Sequence, residues 1–207
     1  MQEENGYQQE LESIRKLMER SVKFISLSGL SGILAGIYAL IGASIAWFLI
    51  NSKTPRPNYY DLMFGDNILA IQLFIIAVVV LLASLLTGLW LSAKRAKRMG
   101  LKVWDATGKR LAINLTVPLV SGGLFILILI AHGQLILVAP ACLIFYGLAL
   151  LNASTNTVEE VRYLGYSEIL LGLIAAWWAG FGLVFWAIGF GVLHILYGTM
   201  MYKKYGA

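Results

Sequence analysis

Residues 163–202 read YLGYSEILLGLIAAWWAGFGLVFWAIGFGVLHILYGTMMY. A helical crossing of a bilayer core takes about 20 predominantly apolar residues. This stretch is long enough for two, and the small residues at 179–182 offer the turn between them. It therefore predicts a tight helical hairpin inside a membrane. Its only acidic or basic side chains are Glu168 and His194. A turn centred on residue 181 puts each of them thirteen residues away, at the same depth on antiparallel helices.

The same reading extends toward the N-terminus. Residues 111–131 and 135–152 form a second hairpin around His132-Gly133-Gln134, with Pro118 and Pro140 inside the two spans. Asn114 and Asn152 each lie nineteen residues from Gly133, again at matching depth. Residues 24–50 and 68–92 are two further spans. They are separated by a loop with Pro55, Pro57, Tyr59 and Tyr60, whose aromatic rings suit the headgroup level. Ahead of them, Tyr7, Leu11, Ile14 and Met18 make one helical stripe, so 1–22 is expected to be a cytoplasmic amphipathic helix. The fold expected is an all-α membrane protein. It has six transmembrane helices, at about 24–50, 68–92, 111–131, 135–152, 164–180 and 182–202, with N-in/C-in topology.

Composition agrees with this class. Of 207 residues, 59% are hydrophobic and 13% charged, where a soluble domain carries about 25% charged residues. The first apolar run begins too late and runs too long for a signal peptide. The single cysteine, Cys142, excludes an internal disulfide and any multi-cysteine metal site. A net charge of +5 suggests nucleic acid until its distribution is considered. With the N-terminus inside, fourteen of the sixteen Lys and Arg residues fall on the inner side; only Lys53 and Arg56 fall outside. That asymmetry is the positive-inside pattern. The densest part is Lys94, Arg95, Lys97, Arg98, Lys102, Lys109 and Arg110, a cytoplasmic basic face suited to anionic lipid headgroups. Direct nucleic-acid binding is not expected.

Ionisable groups within spans are costly and are functional candidates by default. His194 lies nine residues before Lys203, about 13 Å along a helix. Glu168 would share its depth, and a Glu–His pair would lower the cost of burying both. His194, Glu168, Tyr197, Asn114 and Asn152 are the candidates for ligand binding or proton handling. With Ser26, Ser28, Ser31, Ser84 and Thr87 they place most polar side chains in the inner halves of the spans. Either a cavity open to the cytoplasm or simple interhelical hydrogen bonding accounts for that. There is no HExxH, no G-x-S-x-G and no P-loop. His132 and His194 fall in opposite halves, which argues against a bis-His haem. No catalytic residue, metal or cofactor is expected.

Four stretches carry a family resemblance: ELESIRKLMERSVKFISLSGLSGILAGIYALIGA, WDATGKRLAINLTVPLVSGGLF, YGLALLNAS and FWAIGFGVLHILYGTMMYKKY. They resemble an uncharacterised Bacteroidota family of small six-span integral inner-membrane proteins. The resemblance covers nearly the whole chain. It implies a bacterial inner (cytoplasmic) membrane location and brings no activity with it. The proteins that this chain resembles are often encoded beside a small winged-helix regulator, which implies a docking role for the basic inner face and the N-terminal helix. The functional expectation is a non-enzymatic sensor, scaffold or accessory subunit, binding a lipid or small apolar ligand in an inner-half cavity. The alternative is a small-molecule or proton-linked transporter or channel. Expected partners are membrane lipids, a cytoplasmic protein and a second copy of the chain. The small-residue ridges Ser28-Gly32-Gly36 and Gly172-Ala176-Gly180 could pack within or between subunits.

Overall fold

The computed structural model describes residues 28–53, 67–98, 100, 106–178 and 180–205. The expected amphipathic helix 1–22, most of the loop after the first span, and Lys102 lie outside these residues. The helices are α1 (Gly29–Lys53), α2 (Asn67–Arg98), α3 (Ala106–Ala131), α4 (Val138–Ser154), α5 (Glu159–Trp177) and α6 (Gly182–Tyr205). A single 3-10 turn, Leu135–Leu137, leads into α4. Within α6 the stretch Ala187–Leu193 is π-helical. No strand occurs among the described residues.

Five of these helices, α1 to α4 and α6, are long and apolar enough to cross a membrane. The chain is therefore a multi-pass membrane protein by the length and composition of its helices. The sixth, α5, is 19 residues long and carries Glu159, Glu160, Arg162 and Glu168. Leu82, Leu86, Ile113 and Val120 of α2 and α3 are exposed. An apolar face turned outward is what a lipid solvent favours.

Both hairpin turns follow from glycine. At the end of α3, Gln134 N–H bonds Leu129 O at 2.8 Å and Gly133 N–H bonds Ile130 O at 3.0 Å. Gly133 has φ 70°, so this is a Schellman termination in which glycine takes the left-handed position. After α5, Gly180 has φ 107°, and the chain reverses into α6.

The helices pack as α2–α1–α6 and α3–α4–α5, and α6 joins the two groups by lying against α4 and α5. Helix backbones approach closely where side chains are missing. A Cβ built on Gly198 of α6 would lie 2.6 Å from Ile33 N and 2.8 Å from Gly29 O of α1. One built on Gly32 would lie 3.2 Å from Gly198 Cα. The Ser28-Gly32-Gly36 ridge thus packs inside one chain, and so does Gly172, which abuts Ile144 and Pro140 of α4.

One end of the bundle is basic and tied together by polar contacts. Arg95 of α2 donates to Tyr205 O at 2.6 Å. Lys204 of α6 donates to Glu160 Oε1 of α5 at 2.6 Å, and the Tyr205 hydroxyl donates to Glu160 Oε2 at 3.1 Å. The other end carries the α3–α4 and α5–α6 turns.

Candidate functional site

The centre of the molecule is built on the π-helical part of α6. A π turn is wider than an α turn and is common at functional sites. Here it sets His194 against the backbone five residues earlier: His194 Nδ1 lies 3.0 Å from Gly189 O. A carbonyl only accepts, so Nδ1 carries the hydrogen. On a neutral ring Nε2 is then the acceptor, and the Tyr146 hydroxyl of α4 donates to it at 2.8 Å. His194 is 7% exposed.

Glu168 of α5 completes the group. It is 0% exposed, and its Oε1 lies 3.5 Å from His194 Nδ1. That distance is long for a hydrogen bond, and the Nδ1 hydrogen already points at Gly189. Neither carboxyl oxygen has a hydrogen-bond partner. Buried polar groups are nearly always satisfied, so this exception calls for an explanation. Space for the carboxyl comes from Gly189: a Cβ there would lie 2.6 Å from Glu168 Oε2 and would press on Leu143 Cδ2. Three helices thus converge on one proton-bearing group, with Tyr146, Glu168 and His194 in contact around it.

Tyr197 stands one turn beyond His194. Its hydroxyl lies 3.3 Å from Ser167 Oγ, a second polar tie between α5 and α6. Asn114 and Asn152 meet as well, but elsewhere. Asn152 Nδ2 donates to Asn114 O at 2.9 Å, and Asn114 Nδ2 to Asn152 O at 3.3 Å. This reciprocal clamp joins α3 to α4 on an exposed flank. The equal depths expected for both pairs correspond to real contacts, while the two pairs sit in separate places.

An apolar cavity of about 180 Å³ lies in the other half, near the α3–α4 and α5–α6 turns. Ala43 and Ala46 of α1, Ala77 of α2, Ala139 and Cys142 of α4 and Trp186 of α6 are among its walls. Its position differs from the inner-half cavity expected from the polar residues. Of those polar residues, Ser31, Thr87, Asn114, Asn152, His194 and Tyr197 are engaged with other groups of the chain. The hole forms instead where four helices present Gly and Ala. From its wall a ladder of rings runs to the centre: Trp186 to Phe190 at 5.3 Å and Phe190 to His194 at 5.9 Å.

No protein-family model matches the chain, and neither a curated protein nor a solved structure does.

The basic face divides in two. Lys94, Lys97, Arg98, Lys109 and Arg110 are exposed, and Lys94 Nζ sits 5.1 Å over the Trp90 ring. Arg95 does not belong with them: it is 7% exposed and holds the end of α6. Ser84, Ser121 and Cys142 are not among the groups bonded to His194, and Ser121 Oγ donates to Val117 O of its own helix. No cluster of three His, Cys, Asp or Glu residues that could hold a metal occurs among the described residues. Sequence reasoning missed Tyr146 and Gly189. The available signal was the need of any buried imidazole for a partner at each nitrogen, which directs attention to mid-span tyrosines.

Proposed function

We propose that the chain is a six-span protein of a bacterial inner membrane, with both termini in the cytoplasm, acting as a non-enzymatic sensor or accessory subunit. The observation that carries this reading is the buried Glu168 carboxyl, without a hydrogen-bond partner and 3.5 Å from His194. The pair has two neutral forms, acid with imidazole or carboxylate with imidazolium. These two carry the same number of protons and interconvert by an internal transfer; losing one proton to water leaves carboxylate beside neutral imidazole, which is the step that pH controls. In the ionic form the charges attract strongly in a medium of low dielectric and draw α5 toward α6. In the neutral form the acid O–H must find an acceptor, and Gly189 O is the nearest carbonyl named at the site. Two hydrogen-bond patterns for the same helices make a bistable element. The exposed lysines and arginines of α2 and α3 give the output face, for anionic lipid and for a cytoplasmic protein partner. The resemblance to inner-membrane proteins supports the location.

The test is hydrogen exchange of the full chain in lipid nanodiscs at mildly acidic and mildly alkaline pH. Protection of α5 and α6 is expected to change with pH in the wild type and to become pH-independent in Glu168→Gln. Equal protection at both pH values in the wild type would overturn the reading. A proton-linked transporter is the second reading, favoured by the hydroxyl–imidazole–carboxyl chain through Tyr146, His194 and Glu168. Proton flux into liposomes that is lost in both Glu168→Gln and His194→Leu would establish it. Flux indifferent to both substitutions removes it.

A further inference from the structure

We infer that the apolar cavity near the turns is a binding site for a single hydrocarbon chain, acyl or prenyl, entering sideways from the bilayer between α2 and α3. Four observations lead there. The cavity holds about 180 Å³ and is open on one side, and an enclosed apolar cavity of about 150 Å³ already takes up benzene. Its walls are mostly alkyl and aromatic, with the Cys142 thiol and the Trp186 indole N–H as the only polar side-chain groups. It lies within helices long and apolar enough to cross a membrane, where the surrounding solvent is itself hydrocarbon. And α2 and α3 pack on α1 and α4 but make no extended contact with each other. Residues of the first half of α2 and Ile130 of α3 nevertheless face the same space.

A flexible alkyl chain fits this site better than a rigid polar ligand. Nothing in the walls would orient a headgroup, so the headgroup stays outside and only the chain enters. The small residues at Ala43, Ala46, Ala77 and Ala139 set the width. A larger side chain at Ala77, which is exposed on α2 and faces the cavity, would occupy the chain's place without entering a packed helix contact. The inference rests on the membrane-spanning reading and not on the Glu168–His194 centre.

The experiment reconstitutes the full chain in nanodiscs of a phospholipid bearing a photoactivated diazirine within its acyl chain. Sites of labelling are then mapped by mass spectrometry. In the wild type, label is expected on Cys142 and Trp186, deep in the cavity, as well as on exposed Leu86 and Val120. Ala77→Phe should lower labelling of Cys142 and Trp186 about tenfold, the equivalent of about 1.4 kcal/mol, and leave Leu86 and Val120 unchanged. Glu168→Gln should leave all four unchanged, which separates this site from the proton-bearing centre. If Ala77→Phe fails to fold, Ala139→Phe fills the cavity from the opposite wall.

Native mass spectrometry distinguishes the sources of the chain. A retained prenyl or acyl mass that leaves on delipidation supports the site and identifies a dedicated ligand. Labelling by the bulk phospholipid alone supports the site and assigns it to the bilayer. Label confined to the exposed residues, label on Cys142 and Trp186 that resists both Phe substitutions, or a second copy of the chain crosslinked across the gap would each overturn the inference.

Discussion

Gly189 is the residue on which the buried centre depends. Its missing side chain is the space that the Glu168 carboxyl occupies. Gly189→Ala should therefore cost about 1–3 kcal/mol, as overpacking does, read as a lowered unfolding midpoint in detergent. Adding Glu168→Ala should recover part of that loss, because one of the two clashing groups is gone while Leu143 stays. Tyr146→Phe removes the donor to His194 Nε2 and leaves a buried acceptor unmet, a cost of about 1–3 kcal/mol. At the basic end the controlling residue is Glu160. Burial alone would raise its pKa, but the Lys204 hydrogen bond, its own backbone N–H and the Tyr205 hydroxyl together hold it below the usual carboxylate value. A carboxyl depressed in the folded state stabilises the fold above its unfolded pKa, about 4.3. That contribution is lost as pH falls through the folded value. The unfolding temperature of the wild type should thus exceed that of Glu160→Gln at neutral pH, and the gap should close in acid. A constant gap across the range would mean that the Glu160 charge contributes nothing. Residues of this kind were legible only in part. Counting from a turn places Glu168 beside His194, because antiparallel helices share a rise per residue. It says nothing of Tyr146, which reaches the site from a helix that α6 meets only through tertiary packing.

Helix pairs are held by contacts that sequence spacing announces without naming the partner. The ridge Ser28-Gly32-Gly36 declares a close approach, and the structure supplies α6, with Gly198 facing Gly32 and Gly191 facing Gly36. At Gly198 the obstructing atoms are backbone, Ile33 N and Gly29 O, so they cannot rotate aside. Gly198→Ala should force α1 and α6 apart and cost about 1–3 kcal/mol. Gly123 is the control on a similar helix: a Cβ there meets nothing within 4 Å. Gly123→Ala should be neutral or stabilising by up to about 1 kcal/mol, since Ala is the better helix former. Unfolding of both variants in the same detergent gives the comparison, and equal effects would mean that the glycines matter for helix propensity and not for packing. The π-helical stretch of α6 was not legible. Ala187–Leu193 has the same apolar character as its flanks, and its Gly189 lies against the Glu168 carboxyl of a neighbouring helix. The cavity was hidden for a related reason: Ala43, Ala77 and Ala139 read as ordinary small residues until four helices bring them together.

At the scale of the whole molecule the open question is whether α5 crosses the membrane, since that sets the side on which the C-terminus lies. Five crossings put the termini on opposite sides and six put them on the same side. By composition α5 falls short, because Glu159, Glu160, Arg162 and Glu168 all lie in it. Their placement argues the other way. Glu159, Glu160 and Arg162 occupy the first turn, and Glu160 pairs with Lys204 at the basic end. The charge deeper in is Glu168, and it faces His194 on a helix that is itself apolar enough to span. After the charged first turn, the 15 residues from Tyr163 to Trp177 rise about 22 Å, and the first turn carries the helix on through the edge of a hydrocarbon core about 30 Å thick. Trp177 at its far end is 87% exposed, where an interfacial tryptophan belongs. A full crossing is therefore expected, with Lys97 and Lys203 on one side and His132 and Trp178 on the other. Single cysteines at these four exposed positions, in a Cys142→Ala background, test it with a membrane-impermeant thiol reagent on intact cells or spheroplasts. His132→Cys and Trp178→Cys should react at once, and Lys97→Cys and Lys203→Cys only after permeabilisation. If Lys203→Cys instead reacts from outside while Lys97→Cys does not, α5 is not a crossing. Glu168 would then meet His194 from a helix that enters and leaves on one face.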